Sequence, residues 1–219
     1  MLEQILKIIF PAANDYGNLT PCAEQIPADL AYTHTGVFLY DENARRLVKA
    51  IKYEKNRELI PIIQKEFLRC APAKKADFII PVPLNPLRFA ERGFNQAEEF
   101  VRSYAEFHGI PIRSDIVYRG TNTQKLAALS SGERAKATAN IFQVWENKRD
   151  LLENKRILIV DDIITTGSTV KNLADVLSHY KPAGIEILGV FRPQSKQVQT
   201  GWVTKIFCLK RTLERLHHE

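Results

Sequence analysis

Hydrophobic and polar positions alternate along the chain with two different periods. From Glu42 the apolar residues Ala44, Leu47, Val48 and Ile51 recur every three or four positions among charges, which predicts an amphipathic helix. A second helix is predicted over Arg57–Arg69, with Pro61 in its first turn, where a missing N–H costs nothing. A third runs from about Asn95 to His108 and is stopped by Gly109 and Pro111. Between these lie short apolar runs that read as strands: Gly36–Tyr40, Asp77–Val82 and Asp115–Arg119. Arg156–Val160 is almost continuously apolar, as a central parallel strand buried on both faces must be. It is followed by a helix over Ser168–Tyr180, a strand over Ile185–Phe191 and a last strand over Trp202–Leu209. Strands alternating with helices predict an α/β fold, a mostly parallel central sheet flanked by helices.

Two stretches break the pattern. Residues 11–35 are rich in Pro, Ala, Asn and Thr without a period, so 1–35 is read as an irregular N-terminal extension and 36–219 as the folded domain. Thr121–Ala139 is small, polar and weakly periodic, with a helical portion expected around Gly132–Asn140. A loop of that length inside a compact domain usually has a functional reason.

Composition narrows the function classes. No apolar run reaches the roughly 18 residues of a membrane-spanning helix. The apolar N-terminus is short, carries Glu3 and is interrupted by Lys7, so neither a signal peptide nor membrane insertion is expected, and the location expected is cytoplasmic. Cys22, Cys70 and Cys208 are far apart and form no CxxC pair, so neither zinc nor a disulfide framework is expected. The five histidines are scattered and read as structural or exposed. Net charge is +6, and residues 42–75 alone hold ten Lys/Arg against four Asp/Glu. Arg45, Arg46, Lys49 and Lys52, with Tyr40, Tyr53 and Phe67 nearby, are candidates to track a nucleic-acid backbone and stack bases. A solvated helix face is the ordinary reading of such a charge run, and both readings stand at this level.

The segment richest in chemistry is Ile157–Thr169, ILIVDDIITTGST. Ligands of open parallel sheets bind beyond the C-terminal ends of the strands, where Asp161 and Asp162 fall. Gly167 lets backbone approach a ligand, and the first amides of the Ser168 helix would face an anion. Thr165, Thr166, Ser168 and Thr169 add hydroxyl donors. No lysine is present in this loop, so a terminal monophosphate suits it better than a nucleoside triphosphate. Adjacent carboxylates repel each other and serve no folding purpose, whereas carboxylates do accept hydrogen bonds from vicinal hydroxyls. Two acids beside a monophosphate cup describe a reader of ribose 5-phosphate. Their charge would also stabilise a developing cationic ribosyl carbon.

ILIVDDIITTGST resembles the phosphoribosyl pyrophosphate signature of the type I phosphoribosyltransferases. The resemblance implies that Asp161 and Asp162 take the ribose hydroxyls and act in catalysis, and that Thr165, Thr166, Gly167, Ser168 and Thr169 hold the 5′-phosphate. It implies Mg²⁺, brought by the ligand rather than held by the protein directly. Over roughly Gly36–Arg192 the chain is also similar to the ComF family of competence-associated proteins. PVPL at Pro81–Leu84, Arg88 and RGFNQA at Arg92–Ala97 carry that likeness, as do Arg119, Thr123, Gln124, Leu129, Ser130, Arg134, Asn140 and Phe142. By resemblance, Pro83, Leu84, Arg88 and Arg92 belong to a pyrophosphate loop. Thr121–Asn140 corresponds to a mobile catalytic hood, with Arg119, Gln124, Lys125 and Arg134 as its candidates and Gln124 and Arg134 as catalytic residues. The function implied is Mg²⁺-assisted transfer of the 5-phosphoribosyl group with release of pyrophosphate, in a protein of DNA uptake. The alternative is a non-catalytic module that binds single-stranded DNA or a nucleotide 5′-phosphate. A DNA-uptake helicase and a homo-oligomer are the further partners considered. ComF-type proteins commonly begin with a four-cysteine zinc ribbon, whereas Cys22 stands alone here, so 1–35 reads as a degenerate remnant of that region.

Overall fold

Five of the predicted apolar runs do become strands, and four of them meet in parallel. A computed structural model describes residues 19–22, 25–26, 34–120 and 141–193. In chain order its strands are β1 (Gln25–Ile26), β2 (His34–Leu39), β3 (Phe78–Pro81), β4 (Val117–Arg119), β5 (Phe142–Val144), β6 (Arg156–Ile163) and β7 (Gly184–Arg192). The helices are α1 (Glu42–Tyr53), α2 (Ile60–Cys70), α3 (Pro86–Arg92), α4 (Gln96–His108) and α5 (Ser168–Ser178). The main sheet has the order β1-β2-β7-β6-β3. Strands β2, β7, β6 and β3 are parallel, and only the edge strand β1 runs antiparallel, against β2. Among the described residues no helix is long and apolar enough to cross a membrane.

Strand β6 sits between β7 and β3, and its side chains alternate between two cores. Leu158 and Val160 face the layer of α1, α2 and α4, with Leu47, Ile51, Ile63, Phe67 and Phe100. Ile157 and Ile159 face the opposite layer, where α5 contributes Val170, Leu173, Ala174 and Leu177. Period 2 in the strand and period 3.6 in the helices thus make one three-layer sandwich. Each fully buried Leu or Ile contributes about 2 kcal/mol through the apolar area it removes from water.

The helix ends follow local chemistry. Asp41 caps α1 by accepting from the Ala44 N–H at 2.9 Å, and it also accepts from the Thr20 hydroxyl. Asn95 caps α4 by accepting from Ala97 N–H, while its own amide donates to the Val82 carbonyl at 3.0 Å. One side chain therefore starts a helix and fixes the loop leaving β3.

Some expectations change. The loop after β3 contains a helix, α3, which the apolar pattern missed because none of its residues is buried. It is made by its ends: Asn85 caps it, Pro86 opens it, and Gly93 at φ 79° closes it. Asp115–Arg119 narrows to β4, which joins no parallel sheet. It pairs antiparallel with β5, a three-residue strand too short to announce itself by period. The predicted second helix begins with a 3-10 turn over Arg57–Leu59 before α2 proper. Within the extension 1–35, described residues carry structure: β1 pairs with β2, Pro21 bridges to Phe38, and Leu19 is buried in the core. The strand Trp202–Leu209 and the expected loop at 121–140 lie outside the described residues, and so do Gln124, Lys125 and Arg134.

Candidate functional site: an acid pair beside an uncapped helix

Asp161 and Asp162 close the run RILIVDDI at the C-terminal end of β6. The alternation of the strand carries on through them, and their surroundings differ accordingly. Asp162 meets the Lys52 ammonium from the last turn of α1, and Tyr40 lies near it. Asp161 faces the side of Arg119, on β4, which in turn stands near Arg88 of α3. The Asp162 N–H donates to Asp161 Oδ1 at 2.9 Å. Burial, followed by the charge of Asp162, pushes the Asp161 carboxyl up to about 8, and the nearby Lys52 ammonium offsets only part of this. Arg119 is shifted downward, first by burial and then by Arg88, with Asp161 acting the other way.

The chain then turns over β7. Ile164 donates its N–H to the Phe191 carbonyl at 2.9 Å and packs where residue 189 has no side chain. A Cβ at Gly189 would lie 2.8 Å from Ile164 Cδ1, so glycine is required for this close approach. Gly167 follows at φ 75° and ψ −2°, a left-handed conformation that an L side chain seldom adopts. It is the N-cap of α5, and no side chain caps that helix. The first helical backbone bond runs from Lys171 N–H to the Gly167 carbonyl. Thr166 Oγ1 and Ser168 Oγ lie 3.0 Å apart, and the Ser168 amide makes only a long 3.4 Å contact to Thr166 Oγ1. Thr165, Thr166 and Ser168 are exposed around a small depression of about 20 Å³ that also reaches Asp161. Amides at a helix start with no capping side chain, aided by the helix dipole, are the kind of donors an anion takes.

Arg119 also lines an apolar cleft of about 560 Å³, to which Asp161 itself does not contribute. Pro83 and Leu84 form one wall, Phe89 of α3 another, and Tyr118, Arg119 and Trp145 a third. Tyr118 and Trp145 stack at 4.2 Å between ring centroids. Sequence reasoning named Arg119 but not this aromatic pair, because β5 and Trp145 carried no recognisable signal.

The candidate residues thus divide. Asp161, Asp162 and Thr165–Thr169 come together. Arg88 is exposed, with Arg119 as its charged neighbour. Arg92 is engaged elsewhere: it donates to Gln96 Oε1 at 2.8 Å and covers the Tyr53 ring. Arg45, Arg46 and Lys49 lie exposed on the outer side of α1, but Lys52 does not share their surface. It is four residues after Val48, on the stripe that faces the core, and it turns inward to Asp162. That position held a signal: a lysine on the buried stripe of a helix needs an anion to meet.

Comparison with known proteins identifies the domain. A family model, the phosphoribosyl transferase domain, matches residues 73–215. The chain belongs to that family. The type I phosphoribosyltransferase fold accounts for the parallel sheet and its flanking helices, and the curated relatives to which the chain is similar include competence proteins. It is 31% identical to Competence protein F of Haemophilus influenzae over 134 residues, 61% of this chain and 58% of that protein. It is 28% identical to DNA utilization protein YhgH of Salmonella typhimurium, over 64% of this chain and 63% of that one. It is 24% identical to Competence protein ComFC of Streptococcus pneumoniae, over 73% and 68% respectively. The chain therefore spans about three fifths of the length of the first two relatives. Among solved structures, a glutamine phosphoribosylpyrophosphate amidotransferase from B. subtilis aligns with 59% of this chain and 26% of its own, at 19% identity and a TM-score of 0.43.

Proposed function

We propose that this phosphoribosyltransferase-domain protein binds phosphoribosyl pyrophosphate at the end of β6 and serves in DNA uptake. The observation that carries the reading is the acid pair followed at once by an anion site whose amides no side chain has capped. The 5′-phosphate is assigned to Thr165–Thr169 and the ribose hydroxyls to the two carboxylates. The pyrophosphate is assigned to the loop at Pro83 and Leu84, with Arg88 and Arg119 supplying charge. The DNA-uptake role rests on the names of the relatives, competence proteins F and ComFC.

In the transfer reaction an acceptor nucleophile forms a bond to ribose carbon 1 as the bond to pyrophosphate breaks. Positive charge builds on the ribosyl carbon, and the buried carboxyls beside it offset that charge when ionised. The apolar cleft lined by Arg119, with Tyr118 and Trp145 packed together, offers a flat acceptor ring an apolar wall to pack on. Among the described residues no group of three or more acidic, His or Cys side chains could hold a metal ion, and Lys52 already stands on Asp162. This donor set fits Mg²⁺ carried by the ligand, which would neutralise charge on the leaving pyrophosphate.

The test is calorimetric titration of phosphoribosyl pyrophosphate with Mg²⁺ into the wild type and the Asp161→Asn/Asp162→Asn variant. Micromolar binding, weakened at least about a hundredfold in the variant, is expected. A folded wild type that binds nothing would defeat the reading.

A second reading has its own observation: Arg45, Arg46 and Lys49 form an exposed basic face on α1. If it tracks single-stranded DNA, affinity falls with salt, and the triple Arg45→Ala/Arg46→Ala/Lys49→Ala variant lowers the salt slope by about two to three units. An unchanged slope in a fluorescence anisotropy titration excludes that face.

A further inference from the structure

The acid pair already has a cation. Lys52 and Asp162 form an ion pair in which both side chains are largely removed from solvent, 13% and 18% exposed. The lysine comes from α1, which precedes the stretch matched by the family model at 73–215. Its position is well fixed. Ala44, Leu47, Val48 and Ile51 anchor the inner stripe of α1 in the core, and Asp41 holds the start of the helix. The other groups around the acids are of different kinds. Tyr40 lies near Asp162, Asp161 adjoins it in sequence, and Arg119 stands toward Asp161 with Arg88 as its charged neighbour. None of these takes the place of the ammonium on Asp162.

From this we infer that Lys52 is the resident cation of the acid pair: it occupies the place at Asp162 that a divalent metal would otherwise take, and so lets a phosphoribosyl ligand bind without one there. The inference deepens the ligand reading given above for the same site. An ammonium is a compact point charge with three donors on a flexible stem. It can neutralise Asp162 in the empty site and then share its donors with a ligand oxygen. Without it the Asp162 carboxylate beside Asp161 would repel an incoming phosphate or recruit a hard cation with oxygen ligands. Lys52 thus acts at the site both by holding Asp162 neutralised and by offering its remaining donors to a ligand oxygen.

The first test needs no ligand. Mn²⁺ binding is followed by electron paramagnetic resonance in full-length wild type, Lys52→Met, Lys52→Arg and Lys52→Met/Asp162→Asn. The wild type and the arginine variant are expected to show no site tighter than about 1 mM, and Lys52→Met to gain one at least about tenfold tighter. The double variant loses it again. Lys52→Gln replaces Lys52→Met if the methionine variant does not fold. A neutral variant that gains no Mn²⁺ site overturns the inference, as does a wild type that binds Mn²⁺ equally well.

The second test titrates ribose 5-phosphate, which lacks the pyrophosphate that would itself carry metal. Without divalent ions, Lys52→Met is expected to bind at least about tenfold more weakly than the wild type, and Mg²⁺ restores most of the loss. Equal affinity of the two proteins in chelator overturns the inference. If the Mn²⁺ pattern holds but the wild type ignores ribose 5-phosphate, the ligand reading fails while the resident cation stands.

Discussion

Asp161→Asn is expected to make the ligand-free protein more stable than the wild type at pH 8, by on the order of 2 kcal/mol, and to bring little gain at pH 4. The reason is the raised carboxyl. Burial and the charge of Asp162 lift Asp161 to about 8, well above the value near 4 that an unfolded chain gives it. Between those values the folded state holds a proton that the unfolded state has lost. The contribution is therefore fully present below the unfolded value and disappears as pH rises through the folded one. Wild-type stability should fall over roughly pH 4–8 from this group, while the asparagine, which carries no charge to desolvate, should remove that part of the slope. Urea unfolding at several pH values measures it. A wild type and variant with parallel profiles would mean that the Asp161 carboxylate is fully compensated in the folded protein. A residue that costs stability as pH rises is what a functional position looks like, since the same carboxyl, held protonated in the empty site, is available to a ligand's hydroxyls.

Gly167→Val is expected to weaken phosphoribosyl binding by about ten- to a hundredfold, while Gly167→Asn loses less. Gly167 holds φ 75°, and a β-branched residue there costs about 1–3 kcal/mol, which the loop would relieve by leaving its left-handed turn. That turn aims the first amides of α5 toward the depression beside Asp161. Asparagine tolerates the left-handed region better than most residues, so it separates backbone strain from added bulk. Titration of phosphoribosyl pyrophosphate, with a thermal melt to verify folding, gives the comparison. Equal losses in both variants would point to steric blockage of the cup. No loss in either would remove the α5 amides from the binding account.

Much of the architecture was legible because β6 and α1 are long enough to express a period. Ile157–Val160 could be buried on both faces only as a central strand, and Ala44, Leu47, Val48 and Ile51 could share a face only as a helix. Shorter elements escaped. α3 has no buried residue to set a period, and β4 and β5 have three residues each, too few to show one. Within RGFNQA, Asn95 is the α4 cap and also donates to Val82, while the Arg92 side chain pairs with Gln96 and covers the Tyr53 ring.

The sequence by itself determined the alternating fold, the candidate acids Asp161 and Asp162 and the cup at Thr165–Thr169, because each is encoded within a dozen contiguous residues. Which charges stand around those acids was decided only by tertiary structure. Lys52 is more than a hundred residues from Asp162 in sequence, and Arg119 is some forty from Asp161. Only the packing of α1 on one layer and of β4 on the other brings a cation to each side of the pair. A charge is read one residue at a time, but its partner is chosen by how whole elements pack, and that information is spread over every core contact between them.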